Sequence, residues 1–215
     1  MEFAPRVIFR IFGLPITETV TVTWIIMVVL IIFAYYGGKS LKKKPGTFQI
    51  IIELIVDGVN GLTKSTMGEE KISFAPYMGT LALFLALANL IGLLSFRPPT
   101  ADLNTTFALS IMTFIATQYF GLRSRGLGYL KGFAQPFVFL LPLNIIGEIA
   151  NPISLSFRLF GNIVGGLIIM NLVYSVMPII VPILPHIYFD VFAGLLQTFI
   201  FVMLSMVFIS GAMDD

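Results

Sequence analysis

The sequence contains no cysteine and only one histidine, His186. The absence of cysteine excludes disulfide bonds, thiolate metal ligands and cysteine nucleophiles. A single histidine leaves no histidine cluster from which a zinc site could be built. We therefore expect neither a bound metal nor a cofactor in this chain.

Charged residues are also scarce, at 11% of the 215 residues, whereas 57% are hydrophobic and the mean hydropathy is +0.96. Soluble domains carry about 25% charged residues, so this composition indicates an integral membrane protein in a lipid bilayer. The net charge of +2 is too small to indicate a nucleic-acid partner. We find no internal repeat and expect a single membrane domain over residues 1–215.

Long uncharged runs predict membrane helices, because a bilayer core of about 30 Å needs roughly 20 helical residues. The predicted spans are residues 19–38, 72–96, 103–122, 137–177 and 188–213. The fourth span would be about 60 Å long, so it must tilt steeply, break or bend, and Pro152 is the obvious kink point. We predict an all-α integral membrane protein with about five membrane helices, the last two long ones forming a steeply tilted hairpin.

Residues 46–66 differ from the spans because apolar and polar side chains separate onto two helical faces. The apolar face includes Phe48, Ile51 and Val59, and the polar face includes Gln49 and Glu53. This separation is typical of an amphipathic helix that lies in the membrane interface rather than across the membrane.

Basic residues cluster in two loops and predict the orientation of the chain. Six lysines flank the interfacial helix, and Arg123, Arg125 and Lys131 follow the third span. Because cytoplasmic loops carry the excess of lysine and arginine, both loops are predicted to be cytoplasmic. The N-terminus is then outside and the C-terminus cytoplasmic. Arg6 and Arg10 oppose this orientation, but the larger clusters outweigh them.

Three ionisable residues, Glu148, Arg158 and Asp190, lie within the last long apolar stretches. Such groups at bilayer depth are rare and by default mark ion pathways. Arginine stays protonated even when desolvated, so Arg158 is suited to be a permanent charge that a partner carboxylate must meet. Asn162 follows Arg158 by four residues, and Gln197 follows Asp190 by seven. If the two helices pair, these polar stripes face a common surface.

Structural roles remain open for the same residues. Arg158 would alternatively be an end-of-helix anchor that snorkels to the interface. Asp190 would be an interfacial helix N-terminal residue, and Glu148 the partner of a backbone group. The Asn162 and Gln197 amides would then be interhelical contacts worth about 1 kcal/mol or less each.

Three segments carry a resemblance to a known family. They read "NPISLSFRLFGNIVGG", "LLQTFIFVMLSMVFIS" near the C-terminus and "PTADLNTTFALS" in the middle of the chain. From about Phe74 to its end the chain resembles subunit a of F-type ATP synthases, the membrane stator beside a rotating ring of c subunits. The "SLxxRLFGN" core is the most specific of these signals.

The resemblance implies that Arg158 is the essential ion-translocation arginine. Many members carry an acid nine residues after this arginine, where this chain has Leu167. That departure leaves Asp190 and Glu148 as the access-channel acids. The full set of further ion-pathway positions that the resemblance implies is Asn144, Glu148, Asn162, Asp190 and Gln197.

The resemblance also implies a function and partners. Two aqueous half-channels that do not meet would carry H⁺ or Na⁺ to and from ring carboxylates, and the sequence leaves the choice of ion open. The implied partners are the c-subunit ring, the b subunit of the peripheral stalk and the rest of the complex, in the inner (plasma) membrane of a bacterium. The chain has no nucleotide-binding motif, so we expect a non-catalytic, ion-translocating subunit.

A stand-alone ion channel or secondary transporter is the competing class of protein. Such a transporter often shows an inverted repeat, which we do not find. An intramembrane enzyme would need a nucleophile or metal motif, and neither HExxH nor GxSxG occurs in the sequence.

Overall fold

The computed structural model describes residues 6–11, 14–39, 46–94, 96–133, 137–176 and 182–214. Five helical segments in this part of the chain are long and apolar enough to cross a membrane, which confirms the predicted class and number of spans. The α-helices are α1 Glu18–Lys39, α2 Thr47–Met67, α3 Ala75–Leu90, α4 Leu103–Arg125, α5 Leu127–Gly132, α6 Leu141–Val176, α7 Ile183–His186 and α8 Gly194–Met213.

A short β-hairpin precedes α1 and was not predicted from the sequence. Strand β1, Val7–Ile11, pairs antiparallel with β2, Leu14–Thr17. The buried Thr19 hydroxyl donates to Asp102 Oδ2 at 3.0 Å, just before α4 begins. The N-terminal hairpin and the start of α4 therefore lie at the same end of the helix bundle.

The second span is less regular than the uncharged run 72–96 suggested. A 3₁₀ turn over Glu69–Phe74 leads into α3, and a second 3₁₀ turn over Ile91–Leu94 follows it. Residue 95 lies outside the described residues, and Phe96 is not helical. The run ends early because Pro98 and Pro99 follow closely, and proline cannot continue the backbone hydrogen-bond pattern of a helix.

Small polar residues, rather than large apolar ones, form the buried face of α4. This helix packs against both α6 and α8. Its Thr106 hydroxyl lies 3.0 Å from the Ser156 hydroxyl of α6, and its Thr113 hydroxyl lies 3.2 Å from the Ser205 hydroxyl of α8. Helices associate in this way in lipid, where small residues permit close approach and hydroxyls bond across the interface. The stripe consists of Thr106, Ser110, Thr113, Thr117 and Gly121.

The predicted interfacial helix corresponds to α2, which packs on its neighbours along part of its apolar face. Ile52 contacts α1 beside Gly37, and Val59 contacts α3 beside Gly79. Phe48 stays exposed, as a lipid-facing side chain would. Gln49, which the sequence assigned to the polar face, is instead buried and donates to Glu53 at 2.8 Å. Burial is possible because that hydrogen bond satisfies its amide.

The C-terminus is tied to the basic end of the bundle. Lys71 bonds to the Asp214 carboxylate and donates to the Ser210 hydroxyl at 2.9 Å. Ser124 donates to the Met213 carbonyl at 3.2 Å. The start of the second span, the end of α4 and the end of α8 therefore lie together. Three lysines of the orientation prediction, at positions 42–44, lie outside the described residues.

The last two spans form the hairpin that carries the ionisable residues. Helix α6 has 36 residues and passes through the buried Pro152 without a break. At 1.5 Å per residue it is about 54 Å long, well beyond a bilayer core of about 30 Å, so it must tilt or bend. The following span begins at Ile183, five residues before the predicted start, and contains a π-helical stretch over Ile187–Ala193. The connection at residues 177–181 lies outside the described residues.

Candidate functional site

Arg158 lies on the outer surface of α6. Its neighbour Leu159 is fully buried in the core, whereas Arg158 and Phe157 are exposed. In the described part of the chain no carboxylate reaches salt-bridge distance of its guanidinium group. The structure thus presents a permanent positive charge on a surface of the hairpin without an acidic partner among those residues.

The surface of α6 around Arg158 is open. A Cβ atom added at Gly161 or Gly165 would meet no atom of another described segment within 4 Å, whereas one added at Gly166 would lie 3.3 Å from Phe189 Cβ. The open surface and the packed surface of α6 are therefore distinct. We call the open one the arginine face; it consists of Ser154, Arg158, Gly161 and Gly165.

Asn162 and Gln197 join the two helices of the hairpin beside the arginine face. Asn162 Nδ2 donates to Gln197 Oε1 at 2.6 Å, so the two predicted polar stripes do meet. Gln197 is only 1% exposed, and its Nε2 has no acceptor among the described residues. A buried amide with one unused donor is costly, about 1–3 kcal/mol, which marks this as a constrained position.

Glu148 lines a cavity of about 680 Å³ near the C-terminal ends of α4 and α8. Gln118 donates to its carboxylate at 2.8 Å, and the Tyr129 hydroxyl donates to the Gln118 oxygen at 3.1 Å. Burial, followed by the negative charge of Glu148, raises the pKa of Tyr129 above its usual value. We call this space the Glu148 cavity; its polar lining includes Thr117, Arg125, Tyr129, Asn144, Glu148 and Asn151.

Asn144 lies one helical turn before Glu148 in the same cavity. Its Nδ2 donates to the Phe133 carbonyl at 2.9 Å, which ties the start of α6 to the segment after α5. Pro152, four residues after Glu148, has no N–H to donate to the Glu148 carbonyl. The Glu148 carbonyl therefore lacks its usual donor within α6.

Asp190 lines a second cavity of about 550 Å³. It lies in the π-helical stretch and bonds to Nδ1 of His186, one turn earlier. Leu167, at the position where the resemblance implied an acid, lines the same cavity. We call this space the Asp190 cavity; its polar lining includes Arg6, Glu18, Arg97, Asn171, Tyr174, His186 and Asp190.

The two cavities lie at opposite ends of the helix bundle. The Glu148 cavity contains Arg125, the last residue of α4, whereas the Asp190 cavity contains Glu18, which precedes the Thr19–Asp102 contact at the start of α4. Helix α4 has 23 residues and is therefore about 34 Å long, close to the bilayer core. Arg158 follows Glu148 by ten residues, about 15 Å along α6.

A larger groove lies away from the predicted site residues. The groove, of about 880 Å³, lies between α3 and α4 and contains none of the predicted site residues. Among the described residues no group of three or more histidine, cysteine, aspartate or glutamate side chains is placed to hold a metal ion.

Several residues of the site were not predicted from the sequence. Gln118 and Tyr129 come from segments that looked like an ordinary span and a loop, and no pattern pointed to them. His186 did carry a signal, because it precedes Asp190 by four residues and therefore shares its helical face. Asn89 is buried and bonds to the Gly194 carbonyl at 3.0 Å, so it fixes α3 against the start of α8.

The five long apolar helical segments, the two polar cavities and the arginine between them define a multi-pass membrane protein that carries ionisable groups within its apolar segments. Comparison with known proteins places it more narrowly. The ATP synthase A chain family model matches residues 20–210. The chain therefore belongs to the ATP synthase subunit a family, and it forms a complex with the other subunits of such a synthase.

Individual relatives agree with this membership. The chain is 36% identical, over 99% of its length, to the sodium-ion-specific ATP synthase subunit a of Propionigenium modestum, of which it covers 80%. It is 39% identical, over 92% of its length, to ATP synthase subunit a 2 of Syntrophotalea carbinolica, of which it covers 86%. The ATP synthase subunit a 1 of Pelobacter propionicus is 37% identical, with 92% and 88% of the two chains covered.

Proposed function

We propose that this chain is the stator of a rotary ATP synthase and that it forms two offset aqueous half-channels. The Glu148 cavity is the cytoplasmic half-channel, the Asp190 cavity is the outer one, and Arg158 separates them. One observation carries this proposal: an acid lies in a separate cavity at each end of the bundle, and an exposed arginine lies on the helix between them.

The exposure of Arg158 supports a partner outside this chain. An arginine at the centre of a membrane helix costs at least about 2.5–3.5 kcal/mol when it faces lipid. A subunit that covers the arginine face and offers a carboxylate removes that cost. A ring of c subunits fits this requirement, because each of its carboxylates would pass the same fixed charge in turn. A stand-alone channel would leave the arginine in lipid, which disfavours that alternative.

The fixed charge gives Arg158 two tasks in this mechanism. An opposite charge nearby lowers the pKa of a carboxyl group by about 1 to 3, so a ring carboxyl that reaches Arg158 releases its ion and stays ionised. The same charge repels a cation that would otherwise pass directly from one cavity to the other. Each elementary charge that crosses supplies about 2.3 kcal/mol per 100 mV, and a leak would lose that energy as heat.

The remaining pathway residues have supporting roles in this proposal. Glu148 and Asp190 receive and release the ion at the two cavities, and Asn144 keeps the opening of the Glu148 cavity in place. Asn162 and Gln197 hold the hairpin together where the ring carboxylate would pass. The ion is H⁺ or Na⁺; the name of the Propionigenium modestum relative makes Na⁺ a genuine candidate.

We also propose the setting of the subunit. The peripheral-stalk b subunit holds it against the ring, the N-terminus is outside, and the C-terminus is in the cytoplasm of a bacterium whose plasma membrane contains the complex. The shared location of Lys71, Arg125 and the C-terminus supports this orientation, because basic residues favour the cytoplasmic side. No cofactor is needed for ion transfer of this kind.

The test replaces Arg158 with alanine and with lysine in the reconstituted complex and measures ATP synthesis driven by an imposed ion gradient. We expect the alanine variant to lose coupled synthesis and the lysine variant to retain little of it, because lysine can release its proton when desolvated. Arg123→Ala is the matched control, since Arg123 is also exposed but lies outside both cavities. Coupled synthesis at the wild-type rate in Arg158→Ala would contradict the proposal.

A further inference from the structure

His186 bridges two polar residues in the Asp190 cavity. Its Nδ1 bonds to Asp190 Oδ2, and its Nε2 lies 2.6 Å from the Tyr174 hydroxyl oxygen. Tyr174 belongs to α6, whereas His186 and Asp190 belong to the other arm of the hairpin. Three groups that exchange protons therefore form a continuous hydrogen-bonded chain along the cavity wall.

The chemistry of the three groups sets which of them donates and which accepts in each hydrogen bond. An ionised Asp190 only accepts hydrogen bonds, so the Nδ1–H of His186 donates to it. In a neutral imidazole Nε2 then has a lone pair, and the Tyr174 hydroxyl donates to that nitrogen. Both ring nitrogens therefore make the hydrogen bonds that a proton transfer from Tyr174 to Asp190 requires.

Among the described residues that line this cavity, Tyr174 and His186 are the uncharged side chains that can exchange a proton. The other charged residues that line it are Arg6, Glu18 and Arg97, from the N-terminal segment and from the loop before α4. Leu167, from α6, faces the same space and cannot carry a proton. Imidazole is the side chain whose charge ordinarily changes between pH 5 and 8, so it suits a relay near neutral pH.

We propose that Tyr174 and His186 form a proton relay that loads Asp190 from the outer cavity; this inference rests on the function proposed above. Tyr174 gives its hydroxyl proton to Nε2 and takes one from cavity water, while the Nδ1 proton passes to the Asp190 carboxylate. The ring is then neutral with its proton on Nε2. The starting tautomer returns through cavity water, which takes the Nε2 proton and gives one to Nδ1. The relayed ion is H⁺, because an imidazole between two hydrogen-bonded groups does not pass Na⁺.

The experiment uses the complete complex in vesicles with the Asp190 cavity facing the lumen, and it measures ATP synthesis at fixed membrane potential while the lumenal pH varies. We expect His186→Gln to lower the rate about tenfold or more, because proton-transferring side chains typically contribute about 10²- to 10⁴-fold and water replaces part of that. The loss should grow as the lumenal pH rises, because protons become scarce and their delivery to Asp190 then limits the rate. Tyr174→Phe should also lower the rate, because it removes the hydroxyl that donates to His186.

Two controls separate a relay from a merely structural contact. Tyr188→Phe removes the hydroxyl of an exposed tyrosine that stacks on Phe192 and should leave the rate unchanged. In His186→Ala, imidazole added to the lumen should restore synthesis, since it can occupy the space that the side chain leaves and carry the proton. A loss that is equal at every pH and is not rescued by imidazole would overturn the relay.

The outcome also distinguishes the relay from the proposed function. If Arg158→Ala abolishes coupled synthesis while His186→Gln matches the wild type at every pH, the relay is wrong and the half-channels stand. Synthesis driven by a Na⁺ gradient at equal rates in the wild type and His186→Gln would overturn the relay in the same way. If Arg158→Ala retains synthesis, the proposed function itself fails.

Discussion

Replacing Gly161 with leucine should leave this subunit folded but uncouple the complex. A Cβ atom at position 161 would meet no atom of another described segment within 4 Å, so we expect the subunit to accept a side chain there. Glycine is less favourable than alanine in a helix interior by about 0.8–1.0 kcal/mol, and leucine ranks close to alanine. The isolated chain should therefore be as stable as the wild type or slightly more stable. The damage should appear only where another subunit covers the arginine face.

The size of that damage follows from ordinary packing energies. Forcing extra methylene groups into a close contact costs about 1–3 kcal/mol, which corresponds to about a 5- to 150-fold loss in an equilibrium constant. The assay measures the amount of the chain in the membrane, the c subunits that copurify with it and the rate of ATP synthesis. We expect an unchanged amount of chain, together with fewer copurified c subunits or a lower rate by that factor.

Two glycines of the same chain serve as controls for this substitution. Gly58→Leu on α2 also meets open space and should change neither the amount of chain nor the rate. Gly166→Leu should lower the amount of chain itself, because its Cβ would lie 3.3 Å from Phe189 Cβ. Wild-type copurification and synthesis in Gly161→Leu would refute the idea that a second subunit packs on the arginine face.

Three further predictions concern other parts of the molecule. Glu148→Gln should lower ion-driven synthesis by about tenfold while Glu148→Asp retains part of it, because only a carboxylate accepts a proton in that cavity; equal rates in both would contradict this. Gly121→Ala should lower the thermal midpoint of the solubilised complex by an amount equivalent to about 1–3 kcal/mol, because its Cβ would lie 2.8 Å from Tyr129 Cε2. The hydrogen bond from Lys71 lowers the pKa of Asp214 below its usual value, so its stabilisation is present above about pH 4 and is lost as the pH falls further. The thermal midpoint of Asp214→Asn should accordingly lie below that of the wild type at pH 7, and the difference should shrink as the pH falls below about 4.

The spans were predictable because the bilayer imposes a length that apolar runs must match. The run 103–122 predicted α4 to within a few residues at its C-terminal end. The inner face of α4 was harder to foresee, since its buried residues are threonines and serines that carry little hydropathy signal. The N-terminal hairpin was missed because its strands are only five and four residues long.

The site was predictable to the extent that charge is rare in a membrane. Arg158, Glu148 and Asp190 stood out in the sequence for that reason alone. The placement of Glu148 and Asp190 in two separate cavities depends on how α4, α6 and α8 pack, and no local pattern encodes that packing. The π-helical stretch around Asp190 was equally unpredictable from the sequence, because tertiary contacts rather than sequence preference hold the extra residue in each turn.

The hydrogen-bonded partners of the site residues were the least predictable part. Gln118 follows from the position of α4 against α6, and Tyr174 follows from the hairpin geometry. The exposure of Arg158 was also beyond the reach of sequence patterns, since it depends on which face of α6 packs inward. In the function we propose, the side chain that meets the arginine belongs to another subunit.

The most direct test of the account is the passive ion leak through the complex when Arg158 is replaced. The measurement applies a membrane potential to vesicles that contain Arg158→Ala or wild-type complex, with rotation blocked by an inhibitor of the catalytic head, and records ion flux. If Arg158 keeps the two half-channels apart, the alanine variant leaks ions while the wild type does not. Equal and negligible flux in both, with coupled synthesis intact in the variant, would contradict the separating role of Arg158.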